Sequence, residues 1–131
     1  MMKHFVAAIL MLWGTALLAF SKPVERIDPK AVDVWLAANP SAQVLDVRTK
    51  QEFASGHLPG AVLVPWTDAD FKKRVRKELD SGKPTLLYCR SGGRSASAAA
   101  AMEKLGFETL REIDGGILAW KKAGKAVRKP K

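Results

Sequence analysis

Cysteine occurs once in these 131 residues, at position 89, and histidine twice, at positions 4 and 57. A single thiol excludes an internal disulfide framework and the paired-thiol motif of thioredoxin-type exchange. One cysteine and two histidines also leave too few soft ligands for a metal site. Acidic residues are scarce, 13 against 22 lysines and arginines, so the formal charge is +9. No segment repeats and none is of low complexity, which excludes solenoids and propellers. The longest apolar run, Phe5 to Phe20 broken only by Gly14 and Thr15, falls short of the ~20 residues that span a bilayer. What is left is length for one domain, with 47 % hydrophobic residues to fill its core.

The apolar run follows a short basic start, Met1-Met2-Lys3-His4, and closes on the small-x-small pattern Ala19-Phe20-Ser21. Residues 1–21 are therefore expected to be a secretory signal peptide, and 22–131 the exported domain, with a basic tail from about 123. An uncleaved membrane anchor is the alternative. The lack of a cysteine near position 21 excludes a lipoprotein anchor. The expected location is a bacterial periplasm. In an oxidising compartment a thiol without a partner is either buried and inert or kept for chemistry. The positive charge, part of it in Lys72 to Lys77 and Lys121 to Lys131, steers anions. Export and the lack of interleaved aromatics argue against nucleic acid as a partner. Membrane contact is limited to the signal segment or the basic surface. The plainer account of most of these lysines is a solvated helix face and a frayed tail.

Strand-like and helix-like stretches alternate after the leader. Val24 to Ile27 is a short strand. Asp28-Pro29 starts a helix that runs to Ala38, with Val32, Trp35 and Leu36 on one face. Gln43 to Val47 is a buried strand. Thr49-Lys50-Gln51-Glu52 has the pattern of a capping box, opening a short helix that ends at Gly56. His57-Leu58-Pro59-Gly60 is a turn before the apolar strand Ala61 to Val64. Asp68 to Leu79 is an amphipathic helix, with Phe71, Val75 and Leu79 on its apolar side. Thr85 to Tyr88 is a buried strand, Ala96 to Leu105 a helix, Phe107 to Ile113 a strand and Ile117 to Lys122 a last helix. Strands without polar alternation, separated by helices, predict an α/β fold with a mostly parallel sheet covered on both faces.

The strand Thr85 to Tyr88 runs straight into Cys89-Arg90-Ser91-Gly92-Gly93-Arg94-Ser95. Such a strand–loop–helix unit aims backbone N–H groups and the positive end of a helix at one point. Gly92 and Gly93 allow the backbone to close into an anion-holding nest. Cys89 at its mouth is placed as a nucleophile, since the local field favours thiolate. Arg90 and Arg94, bracketing the nest, point to an oxyanion ligand. In open α/β sheets the site lies at the carboxyl ends of the strands, where Cys89, Arg48 and Pro65 all fall. Arg48 and Glu52 have the i, i+4 spacing of an ion pair. His57 reads as a hydrogen-bonded turn residue and Trp120 as core.

Three motifs in this order resemble a single-domain rhodanese. They are Asp46-Val47-Arg48 with Glu52-Phe53 and Gly56-His57-Leu58-Pro59-Gly60-Ala61, then Cys89 to Ser95, then Asp114-Gly115-Gly116-Ile117-Leu118-Ala119-Trp120. The resemblance spans about Ile27 to Trp120. It implies a rhodanese-like fold, a five-stranded mostly parallel sheet with helices on both faces. It also implies a sulfurtransferase whose Cys89 carries sulfur as a persulfide, with no metal or organic cofactor. On this reading, the backbone from Arg90 to Ser95, by way of Ser91, Gly92 and Gly93, binds the substrate. Arg90 or Arg94 would hold the sulfite oxygens of thiosulfate, and cyanide or a thiol would accept the sulfur. Two rivals stand beside it. One is a persulfide carrier or sensor serving a protein partner. The other is a phosphatase or arsenate reductase of the same fold, whose Cys-x5-Arg loop is one residue longer than the Cys-x4-Arg found here.

Overall fold

The computed structural model describes residues 24–131, so the expected signal segment lies outside the described residues. Five strands form one parallel sheet: β1 (Glu25–Ile27), β2 (Gln43–Asp46), β3 (Val62–Leu63), β4 (Thr85–Tyr88) and β5 (Leu110–Ile113). Their order is β1-β5-β4-β2-β3, which puts β4 at the centre. Four α-helices connect them, α1 (Val32–Ala38), α2 (Lys50–Ala54), α3 (Phe71–Glu78) and α4 (Gly93–Lys104), and α5 (Gly116–Lys122) follows the last strand. A 3-10 turn, Pro29–Ala31, leads into α1 behind Asp28, whose side chain accepts from the Lys30 N–H. This is the rhodanese-like architecture that the motifs imply.

The strand periodicity sorts side chains into two cores. Leu45, Leu87 and Leu110 face Phe71 and Val75 of α3 and Ala98, Ala99 and Met102 of α4. Leu86, Tyr88 and Ile113 face Val32 of α1 and Ile117 and Trp120 of α5. Both faces of β4 are covered, which is why all four of its residues are buried and none alternates with a polar one. The alanines of α4 let that helix lie close over the sheet, with Ala98 and Ala99 fully buried.

Several element boundaries differ from the sequence reading, among them the start of α3 at Phe71 rather than Asp68. β3 is two residues at the sheet edge with Val62 exposed, shorter than the apolar strand expected over Ala61 to Val64. β5 begins at Leu110 rather than Phe107, because the Phe107 N–H turns back onto the Met102 carbonyl as α4 ends. α4 begins at Gly93 rather than Ala96. The tail is not frayed through Arg128. It pairs with His57 by reciprocal backbone hydrogen bonds of 2.8 Å, and the Trp120 indole N–H donates to the Ala126 carbonyl at 2.9 Å.

Candidate active site

Because β4 is central and parallel to its neighbours, its carboxyl end opens between β2 and β5, and Cys89 is the first residue out. It is 1 % exposed. Gly92 follows with φ +133°, a conformation that side-chain-bearing residues rarely adopt, and this bend turns its N–H onto the sulfur at 3.0 Å. Gly93 has no such need: it is the first residue of α4, and a Cβ there would meet nothing. The backbone N–H groups of Ser91 and Ser95 add to the favourable field at the sulfur. Burial pushes the Cys89 thiol up, but the Ser95 hydroxyl and these three N–H groups outweigh it, so its pKa lies below the ordinary thiol value. The physical cause is donor geometry at a helix start, and it favours the nucleophilic form.

The third motif braces this loop. The Ile117 N–H donates to the Cys89 carbonyl at 2.9 Å and the Leu118 N–H to the Arg90 carbonyl at 3.2 Å. Both donors come from the first turn of α5, where helix N–H groups have no partner of their own. With its carbonyls turned outward to α5, the loop is left with its N–H groups on the sulfur side. Gly116 permits the approach, since a Cβ there would stand 2.5 Å from the Arg90 carbonyl oxygen.

The first motif builds a buried support instead of the expected i, i+4 pair. Arg48 does not reach Glu52. It grips Asp46 in the fork formed by Nε and Nη2, at 3.0 and 2.7 Å, and donates from Nη2 to the Gly56 carbonyl at 2.7 Å. Asp46 sits in β2, directly across the ladder from Tyr88. The Tyr88 hydroxyl donates to Asp46 Oδ2 at 2.7 Å and accepts the Leu58 N–H at 3.0 Å. Burial, then the facing Asp46 charge, drives the Tyr88 phenol far above its ordinary pKa, so it serves only as a neutral hydroxyl. His57 lies just before the turn rather than in it: it bridges to Arg128, its Nδ1 lies 2.8 Å from the Leu58 carbonyl and its ring stacks on Phe53, while Pro59 and Gly60 make the turn.

Glu52 pairs with Arg94. The two guanidinium nitrogens of Arg94 donate to both carboxylate oxygens, at 2.6 and 2.8 Å, tying α2 to α4. The Arg94 hydrogen bond holds the Glu52 carboxyl at about 2, and the same contact raises Arg94. Arg94 is thus not a loose cation folded over the nest. Arg90 and Ser91 are exposed, and among the described residues the Arg90 side chain has no hydrogen-bond partner. Ser95 is fully buried, and its hydroxyl lies 3.4 Å from Cys89 Sγ, 3.2 Å from the Gly92 carbonyl and 2.8 Å from Glu112 Oε1.

Glu112 was not singled out in the sequence. Its only signal is a carboxylate in register with Leu110 on the inward face of the strand, two residues before the Asp114-Gly115-Gly116 turn. A groove of about 700 Å³ runs beside α2, lined by Thr49, Phe53, Pro65 and Arg74, and includes no residue of the Cys89 loop. Among the described residues no group of three histidine, cysteine, aspartate or glutamate side chains could hold a metal ion.

The family description "Rhodanese-like domain" matches residues 28–123, from the cap of the first helix to the end of α5. The chain belongs to this family. It is 38 % identical over 98 residues to the thiosulfate sulfurtransferase GlpE of Pseudomonas putida, covering 74 % of this chain and 84 % of that protein. It is 35 % identical over 98 residues to the probable adenylyltransferase/sulfurtransferase MoeZ of Mycobacterium tuberculosis. There the match is 75 % of this chain but only 25 % of the relative's length. Among solved structures, the rhodanese-like domain of the Alr3790 protein from Anabaena sp. superposes with a TM-score of 0.71 at 25 % identity, covering 83 % of this chain and 80 % of that one. The rhodanese assignment thus agrees with the sheet order, the loop and the curated sulfurtransferases, and supports a sulfurtransferase type of function.

Proposed function

We propose that this rhodanese moves sulfane sulfur from thiosulfate, or a persulfide donor, to cyanide or a thiol through a persulfide on Cys89. The observation that carries the reading is the buried sulfur that accepts the Gly92 N–H at 3.0 Å where α4 begins. The Cys89 thiolate attacks the outer sulfur of thiosulfate, the S–S bond of the donor breaks, and sulfite leaves with the electron pair. The product anion, Cys89–S–S⁻, keeps its charge against the N–H groups of the loop. Arg90, exposed and unpartnered, takes the sulfite oxygens, and Arg94, positioned by Glu52, contributes charge beside it. The acceptor then removes the outer sulfur and restores the thiolate. The name of the Pseudomonas putida relative supports thiosulfate as donor. A Cys-x4-Arg loop, shorter than that of the related phosphatases, favours sulfur over a phosphorus centre. The reading includes export, on the apolar run and the Ala19-Phe20-Ser21 pattern.

Mass spectrometry after incubation with thiosulfate tests it. One sulfur atom should be gained on Cys89 and lost again to cyanide, with thiocyanate formed. Cys89→Ser should gain nothing. Turnover surviving in that variant, or a wild type that stays unloaded with thiosulfate and with a persulfide donor, overturns the reading.

A further inference from the structure

Glu112 is 4 % exposed on the face of β5 that packs under α4. Among the described residues it makes no salt bridge, and the hydrogen bond found for its carboxylate comes from the Ser95 hydroxyl. Its neighbours in register are Arg26 on β1, which is exposed, and the apolar Leu87 on β4. From α4 it meets Ser95, while the adjacent Arg94 is turned to Glu52. Beyond Ser95 lies the sulfur of Cys89. Three groups that can hold a proton therefore stand in line, all buried.

The hydroxyl in the middle has one hydrogen and three acceptors within reach. An ionised carboxylate at 2.8 Å out-competes a carbonyl at 3.2 Å and a sulfur at 3.4 Å. In that state the Ser95 oxygen turns lone pairs toward Cys89, and the thiol hydrogen points to it. A thiolate would then face those lone pairs and share a dry site with a second anion. Turning the Ser95 hydrogen to sulfur would leave the buried carboxylate with no donor, which is costly as well. Both conflicts vanish if the proton that leaves sulfur ends on Glu112.

We propose that Glu112 takes up the Cys89 proton through Ser95, so that the nucleophile forms without a change in the net charge of the buried site. The Cys89 S–H bond breaks and its electron pair stays on sulfur. Ser95 Oγ accepts that proton and passes its own to Glu112 Oε1. The outcome is thiolate, hydroxyl donating to it, and a carboxylic acid donating to the hydroxyl. Thiol plus carboxylate and thiolate plus carboxylic acid carry the same single charge, and no proton goes to water. The lowered thiol pKa, to which the Ser95 hydroxyl contributes as donor, fits the second arrangement. Glu112 acts through Ser95 and is a positioning residue in that sense. The inference rests on Cys89 being the nucleophile, and does not depend on the identity of the sulfur donor.

The test is the pH profile of Cys89 alkylation by iodoacetamide, a slim reagent that requires no sulfur chemistry. A lone thiol loses reactivity about tenfold per pH unit below its pKa, because only thiolate reacts. Wild type should instead hold a plateau, varying less than about threefold between about pH 5.5 and 7.5, and rise only when a second proton leaves. Glu112→Gln should lose the plateau and fall at least about tenfold over that interval, while matching or exceeding wild type at high pH. Ser95→Ala, which keeps the carboxylate but cuts the link, should also lose it. A wild-type rate that falls tenfold per unit throughout overturns the proposal whatever the variants do. Parallel profiles for wild type and Glu112→Gln overturn it too, since a merely structural role shifts the rate by a constant factor. Persulfide formation is read separately by mass, so failure of the donor assignment cannot be confused with failure of the relay.

Discussion

A Cβ at position 116 would meet the backbone of Cys89 and Arg90 at 2.5 to 2.6 Å, and backbone cannot swing aside as a side chain can. The φ of Gly116, +61°, adds strain for any other residue. Gly116→Ala should therefore cost at least about 2 kcal/mol in denaturant unfolding and lower sulfur loading by displacing the loop from its α5 brace. Tyr88→Phe tests the support under the loop from the other side. It leaves the buried Leu58 N–H without a partner, while Asp46 keeps Arg48, so about 1–3 kcal/mol of stability should be lost, with loading of Cys89 retained in the folded fraction. At this scale the sequence was legible where chemistry has a local signature. The cysteine between a buried strand and a glycine-rich turn is such a case, and so is the capping box at Thr49. Pairings across the fold had none. Glu52 could be matched to a cation four residues away by spacing, but the cation it meets is 42 positions on, and only the sheet order brings it there. The Ser95–Glu112 contact joins two elements in the same way.

Between elements, the Glu52–Arg94 fork couples the helix of the first motif to the helix that begins at the reactive loop. Glu52 has a folded-state pKa of about 2, below its ordinary 4.5, so it contributes stability above pH 4.5 that is lost as pH falls through 2. The stability gap between wild type and Glu52→Gln should thus be full at neutral pH, narrow below about pH 4.5 and close near pH 2. Thermal melts of both proteins across that range measure it; a gap that stays constant to pH 2 would mean that the ion pair contributes nothing. The same variant frees Arg94 and should weaken thiosulfate use, as the guanidinium is no longer held in place. Helix periods and caps located every α-helix in the described chain, and the misplaced start of α4 has a cause outside its own segment. The loop before α4 is held by α5 through the carbonyls of Cys89 and Arg90, a contact between residues 28 positions apart. A reading of Gly92-Gly93 as a single flexible pair has no access to that.

Over the whole molecule, positive charge is in excess and the proposed donor is a dianion. Its kcat/KM should fall several-fold as salt rises from about 20 mM to about 0.5 M, since the Debye length shrinks below the reach of the surface field. Transfer to a neutral thiol should change less than about twofold over the same range. Equal salt dependence of both half-reactions would argue against steering. The sheet as a whole was readable because its central strand is a short apolar run and most of the helices carry an apolar stripe, so the two-faced layering follows from pattern. Strand order was not readable, and order is what sets the site between β2 and β5. One feature of that setting reaches beyond turnover. With Cys89 only 1 % exposed, a bulky disulfide such as oxidised glutathione cannot align on its sulfur, so the unloaded protein is sheltered from mixed-disulfide capping. The transferred atom stands about 2.05 Å further out, one S–S bond beyond the hidden sulfur. Vacant, the thiol is out of a crowded oxidant's reach; laden, the cargo alone is on offer.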